Sequence, residues 1–195
     1  MYPLSLVLLA ALAVSGCVTT SNSLSPEQVA SFRLAAVNVG FAPDARISWA
    51  DGERAYAASK RVAALNPEMV ANSPEAQAFI RSTVASKVKG AMQERLAGQL
   101  GGSRPVRAEI TVKQFETSSV VQRVVIGGSH FMIGDVNLVD AKTGETLVAY
   151  PRLTTFVGAG QGVVGTLVDQ AFLDDPMDRV VNDYAAKYSS WLLRK

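Results

Sequence analysis

The amino-acid sequence predicts an α+β protein: a mixed, largely antiparallel sheet of about four to five strands with helices packed on one face. Three observations carry this expectation. Val106, Ala108, Ile110 and Val112 alternate with Arg107, Glu109, Thr111 and Lys113, as a strand with one wet face requires. Between Ser73 and Leu100 the apolar residues Ala76, Ile80, Val84, Val88, Met92, Leu96 and Leu100 recur at a strict spacing of four. After Asp174, Met177, Val180, Val181, Tyr184, Tyr188, Trp191 and Leu192 fall on one face of a helix, with Asp178 near its start and Arg194 and Lys195 at its end.

The elements follow in order. Ser25-Pro26-Glu27-Gln28 is a helix start, with Ser25 as cap, Pro26 at the first helical position and Gln28 three residues after the cap. About one turn fits before Val37, Val39 and Phe41 set the strand pattern of Phe32 to Phe41. Asp51 to Leu65 is Ala-rich, has few β-branched residues and stops at Asn66-Pro67, so a helix is expected. Ser73-Pro74-Glu75 caps the long helix, which Gly101-Gly102 ends. Each step of four overshoots a turn of about 3.6 residues by roughly 40°, so its apolar stripe winds and should lie slantwise across a twisted sheet.

Beyond the alternating strand, Val120 to Ile126 reads as another, and a third runs from about Phe131 to Val139. Asp140 to Glu145 is a tight hairpin loop with Gly144 in the left-handed region, and Thr146 to Val157 returns antiparallel. Pro151 cannot donate a ladder hydrogen bond and marks a sheet edge or a bulge. A glycine-rich turn and a short helix from Val163 to about Leu173 precede the final helix, which Asp174-Asp175-Pro176 opens.

Composition bounds the function. With 48% hydrophobic and 18% charged residues, and 19 basic against 17 acidic side chains, the chain can bury a core. It is neither disordered nor a polycation built for nucleic acid. Arg81, Lys87, Lys89 and Arg95 are dispersed on the long helix as a solvated face would have them, so no nucleic-acid partner is expected.

The N-terminus is the most specific signal. Residues 1–16 carry no charged side chain, and the aliphatic run Leu4 to Val14 is too short for a helix to cross a bilayer, which takes about 20 residues. Val14-Ser15-Gly16-Cys17 resembles the lipobox of bacterial lipoproteins. That resemblance implies cleavage between Gly16 and Cys17 and lipidation of Cys17, with attached palmitate and diacylglycerol chains. Cys17 is the sole cysteine, so no disulfide within the chain competes for it. The absence of Lys or Arg from Met1-Tyr2-Pro3 departs from the usual signal peptide and leaves an ordinary signal peptide cut elsewhere as the alternative. The expected organisation is a signal peptide over 1–16, a polar tether over 17–24 and a single periplasmic domain over 25–195. Val18 to Ser23, at about 3.3 Å per residue, would hold the body at most roughly 20 Å from the bilayer. By resemblance to the sorting rule of enterobacterial lipoproteins, Val18 rather than Asp after the cysteine favours the periplasmic face of the outer membrane over the inner membrane.

Constellations that could carry chemistry have plainer readings. Gly160-Gln161-Gly162-Val163-Val164-Gly165 is a literal GxGxxG, yet no strand pattern follows its helix to complete a dinucleotide-binding unit, so no cofactor is expected. His130 is the only histidine, and a metal site on it would need carboxylates such as Asp135, which an extended strand points irregularly relative to it, with no second His or free Cys to help, so none is expected. No G-x-S-x-G accompanies it for a hydrolase. Asp174 and Asp175 suit a helix N-terminus, and Asp140 and Glu145 suit a hairpin.

Val124-Val125-Ile126-Gly127-Gly128-Ser129, Gly134 to Asp140 and Thr143-Gly144-Glu145-Thr146-Leu147 together resemble periplasmic lipoprotein domains with the TolB N-terminal-like fold. That group includes the curli-secretion lipoprotein and the lipoprotein activator of peptidoglycan synthases. The resemblance spans roughly residues 32–172 and implies a non-enzymatic protein that acts by binding. The expectation is therefore a lipid-anchored protein of the cell envelope, assisting assembly or regulation through an envelope protein partner. Its candidate surface is the strand edge at Pro151 with the glycine-rich turn at Gly158, Gly160, Gly162 and Gly165. The alternatives are a module that binds lipid or a cell-wall fragment between the long helix and the sheet, and an exported hydrolase.

Overall fold

A computed structural model of the chain describes residues 20–60, 73–118, 129–158 and 175–195. Helix α1 (Pro26–Ser31) leads into strand β1 (Phe32–Trp49), followed by α2 (Ala50–Ser59) and the long α3 (Pro74–Ala97). Strands β2 (Arg104–Thr117), β3 (Ser129–Asp140) and β4 (Thr146–Gly158) come next, and α4 (Pro176–Leu193) is the last helix. The sheet order is β1-β2-β3-β4. β1 and β2 are parallel, and the other two pairings are antiparallel. This is the expected α+β class with a mixed sheet, and α3 and α4 pack on the same face.

The alternation in β2 sets the layers. Val106, Ala108, Ile110 and Val112 are buried, as are their partners in β3, Leu138, Val136 and the backbone of Gly134. On α3 every member of the four-spaced series from Ala76 to Leu96 is buried, and Leu100 just beyond the helix is buried with them. A stripe that drifts around the helix stays covered because α3 packs against both β1 and α4. α4 lays Met177, Val180, Val181, Tyr184, Tyr188 and Leu192 on β3, β4 and α3.

Local signals act as expected at the element ends. Ser25 and Gln28 form a complete capping box. Ser73 Oγ accepts from the Ala76 N–H, and Asp175 Oδ1 accepts from the Met177 N–H. Gly144 closes the β3–β4 turn at φ +78°, a conformation that a Cβ would strain. Pro151 lies on β4, which is an edge strand, and it also lies in a bulge: Tyr150 opposes Val136 and Leu153 opposes Gly134, so Pro151 and Arg152 stand against Asp135 alone.

Three expectations are corrected in extent. The first strand does not stop at Phe41 but continues to Trp49, because the irregularity between Phe41 and Arg46 is absorbed as a register shift on an edge strand. Pro43 falls inside that shift, where no ladder bond is needed. The long helix ends at Ala97 rather than near Leu100. The second helix spans Ala50–Ser59 with Lys60 as its C-cap, so it ends short of the expected Leu65, and residues 61–65 lie outside the described residues. The expected strand Val120 to Ile126 and the expected short helix Val163 to Leu173 also lie outside them.

The fold has two distinct ends. Phe32 of β1, Arg104 of β2 and the β3–β4 hairpin share one end with Gln99 and the C-terminus of α4. Trp49, Thr117, Ser129 and Gly158 mark the other, where Arg179 in the first turn of α4 donates to the Gly158 carbonyl.

Candidate functional site

The sequence-derived surface divides between described and undescribed residues. Pro151 is exposed on the edge strand and Gly158 is exposed at its end, whereas Gly160, Gly162 and Gly165 lie outside the described residues, as do Gly16 and Cys17. Around the Pro151 bulge the polar groups are ordered. Asp135 Oδ1 accepts from the Arg152 N–H at 2.8 Å, and Lys113 Nζ lies 2.7 Å from Asp135 Oδ2. Burial raises the Asp135 pKa, but the bonds from Lys113 and the Arg152 N–H outweigh it and hold the carboxyl below its ordinary value. Arg152 takes the left-handed conformation, φ 52°, to present that N–H. Farther along β4, Phe156 is 63% exposed on the outer face of the sheet, opposite Phe131 of β3.

The residues weighed for chemistry have structural work. His130 is fully buried, and its Nδ1 accepts from the Ser118 N–H at 3.3 Å. Ser118 Oγ donates to the Ser129 carbonyl at 2.8 Å and accepts from the Ser129 N–H at 3.1 Å. These bonds tie the end of β2 to the start of β3. Asp140 Oδ1 accepts from the Lys142 and Thr143 N–H groups, while Arg104 Nε lies 2.8 Å from Oδ2. The Thr143 and Lys142 amides, followed by Arg104, lower the Asp140 pKa to about 2.

Among the basic residues of α3, Arg81 donates to the Ala45 carbonyl and lies over the Phe41 ring, and Lys87 pairs with Asp178 of α4 at 2.6 Å. Among the described residues no group of three or more His, Cys, Asp and Glu side chains is placed to hold a metal ion.

The arrangement that sequence reasoning missed is at the N-terminus. Trp191 Nε1 donates to the Thr20 carbonyl at 2.8 Å. Asn22 Nδ2 donates to the Leu192 carbonyl at 2.9 Å and to the Trp191 carbonyl at 3.2 Å, satisfying acceptors that a helix C-terminus leaves without intrahelical partners. Asn22 Oδ1 meanwhile accepts from the Leu24 N–H. Arg194 turns left-handed at φ 54° just after α4 and donates to the carbonyls of Asn22 at 2.8 Å and Leu24 at 2.7 Å. Leu24 is buried in the core. Thr20–Leu24 is thus a strap across the end of α4, although its composition reads as a spacer. No local signal reveals it, because each partner lies about 170 positions away in the chain.

Among the described residues no helix is long and apolar enough to cross a membrane. Residues 80–172, just under half of the chain, match the model of DUF6778, a family of unknown function. No relative was found among curated proteins. Among solved structures, the chain is similar to a candidate lipoprotein from Caulobacter crescentus at 13% identity and a TM-score of 0.35, covering 57% of this chain and 81% of that one. It is similar to the PelC dodecamer protein from Paraburkholderia phytofirmans at 11% identity and a TM-score of 0.37, covering 90% and 95%. It is also similar to lipoprotein GNA1162 from Neisseria meningitidis at 17% identity and a TM-score of 0.25, covering 69% and 96%. None of these scores reaches the level at which a common fold is read, so the functional reading rests on the chain's own residues.

Proposed function

We propose that the chain is a lipoprotein of the cell envelope, anchored through acylated Cys17 on the periplasmic face of the outer membrane, and that it acts without catalysis, through contact with an envelope protein. The observation that carries this reading is Val14-Ser15-Gly16-Cys17, which ends three residues before Thr20, whose carbonyl accepts from Trp191 Nε1. Three acyl chains, each methylene worth about 0.8 kcal/mol on burial, would make the attachment effectively permanent. Val18 after the cysteine supports the outer membrane.

A binding role is supported by the use already made of the polar residues that chemistry would need: His130, Asp140 and Asp175 each hold backbone amides in place. The proposed contact surface is the exposed edge of β4 at Pro151 and Gly158, continuing into the glycine-rich turn with Gly160, Gly162 and Gly165. A ligand held between α3 and the sheet is less favoured, because Ile80, Val84, Val88 and Val37 fill that interface and are at most 1% exposed.

Metabolic labelling with radioactive palmitate tests the anchor: wild type should carry label and float with outer-membrane fractions, and Cys17→Ser should do neither. Site-specific photocrosslinking from Pro151 and Gly158 in the native envelope should yield a discrete adduct with an envelope protein. Unlabelled, cytosolic wild-type protein would refute the reading.

A further inference from the structure

The strap gives the acyl anchor a direction. On the reading that Cys17 is acylated, we infer that Thr20–Leu24 is a clamp that seats the folded body directly on the lipid headgroups, with the β3–β4 hairpin end toward the bilayer and the Trp49–Gly158 end away from it.

The length of chain between Cys17 and the strap carries the inference. Thr20 is held by Trp191 Nε1, and only three residue steps separate it from Cys17, a reach of about 10 Å at full extension. A free spacer reaching Leu24 would more than double that distance and let the body tumble. Two further attachments on either side of Asn22, through its amide to the end of α4 and through Arg194 to its carbonyl, prevent the strap from pivoting about a single bond.

The strap lies at the end of α4 whose neighbours are Gln99, bonded to Lys195, and the half-buried Tyr150, packed edge-on against Trp191. α4 runs antiparallel to β4, since Arg179 meets Gly158 and Trp191 meets Tyr150. The hairpin and the starts of β1 and β2 therefore sit at the anchored end. At about 3.3 Å per residue, the far end of a strand such as the 14-residue β2 stands about 40 Å farther out. The occupant of the anchored end is the bilayer surface itself, because no other partner is held within reach of Cys17 by the covalent chain.

The test uses the full-length acylated protein in vesicles of phosphatidylethanolamine and phosphatidylglycerol that carry a rhodamine-labelled lipid. Single cysteines are introduced at exposed positions of the two ends, Lys142→Cys in the hairpin and Ser48→Cys near the end of β1, and labelled with a maleimide donor fluorophore. Energy transfer to the lipid should be greater from position 142 than from 48 by about twofold or more, as separations near 10 and 40 Å require.

Asn22→Gly combined with Trp191→Phe and Arg194→Ala removes the clamp's donors and should bring the two efficiencies together while the urea midpoint shows that the body stays folded. Should that combination unfold the protein, Trp191→Phe with Arg194→Ala alone keeps the comparison. Equal transfer from both positions in the unaltered strap overturns the clamp and leaves the anchor standing. A chain that stays off the vesicles with Cys17 open to maleimide overturns the anchor, and the clamp's orientation with it.

Discussion

Gly134 and Tyr184 form a close contact between the sheet and α4, and their coupling can be measured. A Cβ built on Gly134 would lie 2.9 Å from the Tyr184 hydroxyl oxygen and 2.9 Å from the Thr111 carbonyl oxygen, both inside normal van der Waals distance. Tyr184 is fully buried, and its hydroxyl has no hydrogen-bond partner among the described residues. Burial, followed by the nearby Asp135 charge, also pushes its pKa far above the ordinary phenol value, so the group stays a neutral, unpaired hydroxyl.

Overpacking of a filled core costs about 1–3 kcal/mol, so Gly134→Ala should destabilise by that amount. Tyr184→Phe deletes a hydroxyl whose desolvation is uncompensated, an expense of about 1–3 kcal/mol, and should be neutral or stabilising. In the Tyr184→Phe background half of the clash is gone while the Thr111 carbonyl remains. The Gly134→Ala penalty should then fall by about 1 kcal/mol, the size expected for coupling between touching residues. Urea denaturation of the four proteins, followed by circular dichroism, measures the cycle. A penalty that is the same in both backgrounds, or a clear loss of stability in Tyr184→Phe alone, would refute the packing described at this contact.

Other outcomes follow from the same structure. Gly144→Ala, at φ +78°, should cost about 1–2 kcal/mol in thermal or urea unfolding, because the backbone conformation opposes it while none of the described residues stands within 4 Å of the added methyl. Ser25→Ala should cost about 1 kcal/mol by the same measurement, through loss of the capping box. Asp140 has a pKa of about 2, below its ordinary 3.8. Its contribution to stability is therefore complete above about pH 4 and is lost as pH falls through about 2. Asp140→Asn should flatten that part of an acid titration followed by circular dichroism.

The helices were legible because their signals are local. The capping box at Ser25, the Ser73-Pro74 start and the four-residue apolar series each need only neighbours in sequence to be read. The β2 alternation likewise fixes its buried face without reference to its partners. Pro151 was readable as an edge or a bulge because its missing N–H excludes the middle of a sheet, and the structure makes it both.

What escaped reading depends on distant partners. The extension of β1 past Pro43 is stable only because β2 resumes pairing from Arg46 to Trp49. The strap depends on a tryptophan and an arginine at the opposite end of the chain, and Thr20, Asn22 and Ser23 have by themselves the composition of a solvated linker. The lipobox residues and Gly160, Gly162 and Gly165 of the glycine-rich turn read as motifs in the sequence, and they lie outside the described residues.

The strap's energetics indicate how it would behave under load. Fixing the backbone of residues 20–24 costs about 1–2 kcal/mol per residue. Against this stand its side-chain hydrogen bonds to Trp191, Leu192 and Arg194, each contributing about 1 kcal/mol net. Burial of Leu24 adds about 2 kcal/mol. The opposing terms are of similar size, so the strap should open locally at a free energy well below that of global unfolding. The Leu24 amide, which donates to Asn22 Oδ1, reports that opening directly. Its hydrogen exchange should be much faster than that of Ile110 in the central strand β2, and Trp191→Phe should accelerate it further without changing exchange at Ile110. Equal protection at the two sites would mean that the strap is held as firmly as the core and that its bonds are each worth several times about 1 kcal/mol.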